Sequence, residues 1–420
     1  MDELCQLIVE DMKPALGVTE PAAIALACAR ARELSKEPVD SLLVRVNSGI
    51  YKNAFTCGIP GTVDVGNEYS AALGLICGKA EKGLCLLEDV DDVSAAMSKD
   101  FVNAGKVKVE MSSFSSDLFI EATLKTLHDT CIARIEGAHT NFTHIEKNGE
   151  IFLHQEYSAA KAILSPIVNY TIKEILDFAV NVPFEELCFI KEAYTLNRQL
   201  AMAGAAWERC IVSKNLINQN GDKFISSDTR LSAKALSCAA AEARVLGIDK
   251  AAMSITGSGT HGIICTLPLD AYCQVLGIEE EKLLRATSIS YLVCMYIKEF
   301  SGKLSAFCGC GIAGGTGLAC ALSYLMGGNA STLEAACKNM SASITGMICT
   351  GGNHCCCLKV TSAVDAAFTA AELATAGIVV DAPHGILDKS AEKTMQNLGL
   401  IADPGMTETE KIIVEIMKNK

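Results

Sequence analysis

The residues best suited to chemistry are cysteines in two short segments. Cys308 and Cys310 lie in LSAFCGCGIAGGTG, and Cys349, Cys355, Cys356 and Cys357 lie in GMICTGGNHCCCLKV. Both segments are Gly-rich and irregular, so backbone can approach a bound group closely and amides can point at sulfur. Thiolates gathered in this way select soft metals, which makes zinc or an iron-sulfur cluster the chemical expectation. No CxxC pair is present, so the spacing leaves a second reading open, small thiols packed in a Gly/Ala-rich core.

Other signals are weaker. GSGTHG, from Gly257 to Gly262, has the composition of an anion-binding loop and contains His261. His139 and His144 flank strand-like sequence and suit hydrogen-bonded structural roles. Lys52 and Asn53 sit in an apolar neighbourhood, where they would either hold a substrate carboxylate or form a solvated loop. The seven histidines are too scattered for a metal triad. Walker, HExxH and GxSxG motifs are absent.

The elements that must position these groups belong to a well-buried protein. The chain has 420 residues, half of them apolar, 20% charged, and a formal charge of -13. Disorder is excluded as the main state, and neither nucleic acid nor an anionic membrane surface has electrostatic support. A small-molecule enzyme is expected. The opening MDELCQLIVEDMK lacks the basic and apolar segments of a signal peptide, so the 20 cysteines are expected in a reducing cytoplasm as thiols rather than disulfides. Residues 304–333 carry no charge and are long enough to span a bilayer. Their many glycines, and the lack of an aromatic belt or flanking basic cluster, predict a buried helix and Gly-rich loop instead.

Periodicity predicts helices in the first forty residues, the second opening at Thr19-Glu20-Pro21 with the threonine as cap. Strand-like alternation follows from Ser41, then Asn47-Ser48-Gly49, the turn Gly58-Ile59-Pro60-Gly61 and a helix over 67–77. Between 106 and 153 lie several β-type runs, with Asn148-Gly149 a hairpin signal. Beyond about Tyr157 the pattern is helical over 171–180, 184–218, 230–246, 284–300 and 362–376. The expected fold class is α+β, with an α/β lobe over 1–156 and a larger, mainly helical lobe over 157–420.

Several segments, taken in order, resemble a known family. ALGVTEPAAIALA (15–27), NSGIYKN (47–53), GIPGT (58–62), GAHTN (137–141), GSGTHGI (257–263), LSAFCG (304–309) and the Cys349–Val360 stretch are similar to the L-cysteine desulfidases, relatives of the iron-sulfur L-serine dehydratase alpha chain. The resemblance implies a [4Fe-4S] cluster held by Cys308, Cys349 and Cys356, with one iron left open for substrate. It implies β-elimination from L-cysteine to pyruvate, ammonia and sulfide, without pyridoxal phosphate. The family's GCTEP is GVTEP here, so Val18 replaces the cysteine associated with proton removal, and Thr350 replaces an acidic residue. Substitute bases are Lys52, Cys57, His261 and His354, and the expected substrate contacts are Glu20, Ser48, Asn53 and Ser258. The alternatives are a lyase or dehydratase for another β-substituted amino acid, and a non-catalytic cluster sensor. A homodimer is the general expectation for an enzyme of this size.

Overall fold

The computed structural model of the chain describes residues 2–115, 117–157, 164–302 and 304–420. The first elements are α1 (Glu3–Asp11), β1 (Lys13–Leu16) and α2 (Thr19–Glu33). Thr19 does not cap α2. Val18 occupies the N-cap position, and the Thr19 hydroxyl is drawn to Glu20 Oε2 at 3.1 Å instead. β2 (Val39–Asn47) runs directly into α3 (Ser48–Ala54), so Lys52 and Asn53 lie on a helix rather than in a solvated loop. α4 (Asn67–Ile76) and α5 (Asp92–Asn103) follow, the latter opened by a reciprocal capping box between Asp91 and Ser94.

β3 (Val107–Ser113), β4 (Phe119–Thr126), β5 (Thr130–Glu136), β6 (Phe142–Lys147) and β7 (Glu150–His154) complete a six-stranded sheet of order β3-β2-β4-β5-β6-β7. β2 and β3 are parallel and the other pairs antiparallel. The expected hairpin closes at Asn148 and Gly149, both with positive φ (51° and 86°), as a two-residue turn of this kind requires. One face of the sheet is apolar by strict alternation, with Leu42, Val44 and Val46 beside Ile120, Ala122 and Leu124. α2 covers that face, and α4 packs on α2 so tightly that a Cβ on Gly74 would stand 2.2 Å from the carbonyl oxygen of Ala25.

The remainder is mostly helical: α6 (Ile172–Asn181), α7 (Phe184–Leu187), α8 (Lys191–Ala206), α9 (Ile211–Gln219), α10 (Thr229–Leu246), β8 (Ala251–Ser254), α11 (Gly259–Leu276) and α12 (Glu280–Ser301). α13 (Gly315–Leu325), α14 (Ala330–Ile344), α15 (Cys355–Thr375), α16 (Ala391–Leu400) and α17 (Thr407–Lys418) complete an α+β architecture. The helical run read over 184–218 is broken around Trp207–Cys210, where the chain turns between α8 and α9. GSGTHG is the entry turn and first residues of α11. The uncharged stretch from Leu304 is buried as a π-type turn over Cys310–Gly314 followed by α13. Among the described residues no helix is long and apolar enough to cross a membrane.

Apolar side chains form two main cores. One joins α2, α4 and the sheet; the other joins α1 with the helices from α6 to α16. The chain ties them together locally: β1 pairs antiparallel with β8, and Val245 and Leu304 enter the sheet-side core. A second tie is electrostatic. Lys52 of α3 is buried, with Nζ 2.5 Å from Glu410 Oε2 of α17 and 2.9 Å from the carbonyl oxygen of Ser305. Removing one partner of such a pair strands a buried charge. Glu410→Ala is expected to lower stability by about 3–5 kcal/mol, and the apolar pair Lys52→Met with Glu410→Leu to recover most of it, as read by urea unfolding.

Candidate active site

A short backbone clip brings the two cysteine segments together. Phe307 and Ile348 form an isolated antiparallel bridge. Around it, the Cys308 amide donates to the Met347 carbonyl at 3.0 Å and the Cys349 amide to the Ala306 carbonyl at 2.6 Å. Past Cys349 the chain folds against α3, where the Gly352 amide donates to the Asn53 carbonyl at 3.0 Å. Gly351 makes this possible: its φ is +95°, and a Cβ there would stand 2.4 Å from the Lys52 carbonyl oxygen. α15 then starts at Cys355 and supplies Cys356 from its first turn.

Cys308, Cys349 and Cys356 line one cavity together with Val18, Glu20, Asn53, His139, Arg244, Ser258, His261, Lys298 and Lys359. The groups come from both cores: the N-terminus of α2, the end of α3, the ends of α10 and α12, and the start of α11. Thr256 precedes α11 in a left-handed conformation (φ 53°), a strained backbone for a β-branched residue. Its amide donates to Asp11 Oδ2, and its hydroxyl lies 2.5 Å from His261 Nδ1, fixing the imidazole. Gly309 is the counterpart of this arrangement, because a Cβ there would stand 2.5 Å from His261 Nε2.

The cavity carries an excess of positive charge. Burial opposes the ionised form of Glu20, but His139, the Asn53 amide and Arg244 outweigh it and hold the carboxyl at about 2. Asn53 Nδ2 donates to Glu20 Oε1 at 2.9 Å, and His139 Nε2 lies 3.9 Å from the same oxygen. Against this one carboxylate stand Arg244, Lys298 and Lys359. Arg244 is buried and donates through Nη1 to Thr260 Oγ1 at 2.8 Å, while its Nε and Nη2 have no hydrogen-bond partner among the described residues. Burial pushes Lys298 down to about 8. Burial also opposes the charge on Lys359, yet the thiols of Cys349, Cys308, Cys356 and Cys310 raise its pKa, and its Nζ donates to Thr350 Oγ1 at 2.9 Å. Burial and the neighbouring Lys298 and Arg244 push His261 down to about 3, so its imidazole is neutral at pH 7.

Among the thiols, Cys308 is lowered to about 7, chiefly by the Cys310 thiol 3.5 Å away, whereas burial pushes Cys356 up to about 12. Cys356 donates to the Gly351 carbonyl at 3.3 Å. The three thiols fit a group larger than one ion. Zinc holds sulfur at about 2.3 Å, which places ligand sulfurs less than about 4.6 Å apart. Among the described residues, the one His/Cys/Asp/Glu set with ligand atoms all within 4.8 Å of one another lies elsewhere, at Glu242, His354 and Cys357. Soft donors spread round a glycine-lined cavity with three cations suit an anionic iron-sulfur cluster.

The structure brings together Glu20, Asn53, Ser258, His261 and the three cysteines, but separates four other candidates from the cavity lining. Lys52 is held in its ion pair with Glu410, so its ammonium is committed to joining α3 and α17. Cys57 is fully buried, donates to the Ala54 carbonyl at 3.7 Å, and is pushed well above its usual pKa by burial and by Glu20. Ser48 faces a neighbouring cavity with Ser115 and Glu410. His354, the fourth candidate base, is turned to Glu242 at 2.6 Å. His144 has hydrogen-bonding neighbours in Glu146 and His154, whereas His139 lines the cavity. Arg244 and Lys298 were not legible, because each sits singly on a helix with no motif to mark it; Lys359 lay unremarked within the Cys349–Val360 stretch, and the GAHTN segment offered a signal for His139.

Comparison with known proteins agrees with this geometry at the level of family. The profile of the serine dehydratase alpha chain family matches residues 81–415. A UPF0597 protein of Clostridium botulinum (strain Hall) is 40% identical over 427 residues, covering 99% of both chains. UPF0597 proteins of Clostridioides difficile (strain 630) and Caldanaerobacter subterraneus are 35% and 34% identical over 421 residues each, covering 99% of this chain and 99% and 98% of theirs. The chain belongs to the serine dehydratase alpha chain family, and its similarity to UPF0597 proteins extends over nearly its whole length.

Proposed function

We propose that the protein is a cluster-dependent lyase that performs β-elimination on a small amino acid, with L-cysteine as substrate and pyruvate, ammonia and sulfide as products. The observation that carries this reading is the convergence of Cys308, Cys349 and Cys356 on the cavity that also holds Glu20, Arg244 and Lys298. A [4Fe-4S] cluster held by those three thiols would supply a Lewis acid at the iron without a protein thiolate, suited to a departing thiolate or hydroxide. Dehydration of L-serine is the second reading, favoured by the family to which the chain belongs.

The protein groups divide the remaining work by charge. The unpartnered donors of Arg244 suit the substrate carboxylate, and a guanidinium in a buried site holds it by charge-assisted hydrogen bonds. Glu20, ionised throughout the physiological range, receives the α-ammonium, with Asn53 and His139 holding its carboxylate in place. Lys298 takes the α-proton: an amine lowered to about 8 is close to the optimum for a base at neutral pH. His261, at about 3, is poorly matched to that task and serves as a neutral hydrogen-bonding wall held by Thr256. Val18 adds an apolar surface beside Gly352 and contributes no proton acceptor.

Two measurements test this assignment. After anaerobic reconstitution, the wild-type protein should release pyruvate and sulfide from L-cysteine. Cys308→Ala, Cys349→Ala and Cys356→Ala should each lose both cluster and turnover, whereas Cys310→Ala should keep much of both; loss of the cluster in Cys310→Ala alone would overturn the ligand assignment. The pH profile identifies the base. Because the working form of Lys298 is the uncharged amine, kcat should rise with pH through about 8, and Lys298→Met should abolish this limb together with most of the activity. A profile flat from pH 6 to 9, roughly one unit or more to either side of that value, would exclude Lys298.

A further inference from the structure

One residue beyond Cys356, a second thiol leaves the cavity and is buried against α10. Cys357 has no exposed surface, and its Sγ lies 3.0 Å from the His354 carbonyl. The His354 ring is turned to α10, with Nε2 2.6 Å from Glu242 Oε1. Glu242 is itself fully buried, and its two carboxylate oxygens accept from the amides of Val212 at 3.0 Å and Ser213 at 2.8 Å at the start of α9. These contacts keep the carboxylate ionised against the pressure of burial. Two more thiols adjoin the group. Cys238, also on α10, is raised by the neighbouring Cys357 thiol and by burial, and Cys210 is raised to about 12 by burial and by Glu242.

We propose that Glu242, His354 and Cys357 form a second metal site, for a single zinc ion, distinct from the thiols of the cavity. One carboxylate oxygen, one imidazole nitrogen and one sulfur lie within 4.8 Å of one another, the only such set among the described residues. Zinc bound at about 2.0–2.3 Å from each donor needs a spacing of this order, and it accepts this mixture of oxygen, nitrogen and sulfur. Half-exposed His354 offers a route from solvent, while the other donors are buried. His354 is the N-cap of α15 and Cys357 lies in its first turn, so a bound ion would fasten to α10 the same turn that presents Cys356 to the cavity. The site would therefore be structural and would orient one thiol of the other centre from behind.

The test uses the full chain carrying its reconstituted cluster, with zinc, iron and acid-labile sulfide measured on the same sample and zinc affinity measured by competition with a chromophoric chelator. The expected result is one tightly held zinc per chain in addition to the iron. His354→Ala and Cys357→Ser should each weaken zinc binding by roughly 100-fold or more while leaving iron and sulfide content intact. His354→Ala, altering a half-exposed side chain, keeps the test valid should Cys357→Ser fold poorly. Absence of tight zinc from the wild-type protein would overturn the proposal. So would zinc that survives both substitutions but is lost in Cys308→Ala, since it would then belong to the cavity thiols. Loss of iron alone from the Cys308→Ala variant, with zinc retained, would separate the two centres and support the site even if the proposed lyase chemistry failed.

Discussion

The arrangement depends on a pair of backbone hydrogen bonds. The bridge at Phe307 and Ile348, with the amides of Cys308 and Cys349 donating across it, sets side by side two segments 41 residues apart in the chain. The clip pairs backbone donors and acceptors of both segments and so fixes two thiols at once. The third thiol follows from the path of the chain. Gly351 bends under α3 in a conformation that a side chain would oppose, and α15 begins soon afterwards with Cys356 in its first turn.

The surrounding charges then become intelligible. A buried Arg is costly unless anionic groups compensate it, and in this cavity two donor nitrogens of the buried Arg244 have no hydrogen-bond partner among the described residues. In the proposed function, thiolates and the substrate carboxylate supply the compensating negative charge. Cys308 ionises more readily than an ordinary thiol chiefly because of the Cys310 thiol beside it, and Glu20 remains charged despite full burial chiefly through His139 and Asn53, with Lys359 and Arg244 adding to the respective shifts. Lys52 is the contrasting case: its counter-ion, Glu410, is already present, which suits it to joining α3 to α17 rather than to chemistry.

Much of the sheet side was legible in the sequence because its signals are local. Alternation marked β2 to β6, and Asn148-Gly149 could hardly be anything but a tight turn. α11 was hidden, since it is buried on every side, opens with Gly-Thr-His-Gly and contains Pro268, so it shows neither an amphipathic stripe nor a clean propensity. The pairing of β1 with β8 depends on residues about 240 positions apart and leaves no local trace. For the site, resemblance to a family located the cysteines and loop segments, but it could not reveal which charged residues already had partners. Lys52 resembled a binding residue until Glu410, 358 positions away, was found beside it. Arg244 and Lys298 became visible only when their helices were placed around the thiols.

The central claim is that three cavity thiols hold a cluster with one iron open to substrate. Mössbauer spectroscopy of protein reconstituted with iron-57 tests this most directly. The account predicts a four-iron cluster in which one iron is spectroscopically distinct from the other three and responds alone when L-cysteine is added. Four iron sites that ignore L-cysteine and L-serine alike, or a protein that assembles no cluster while its thiols remain intact, would contradict it.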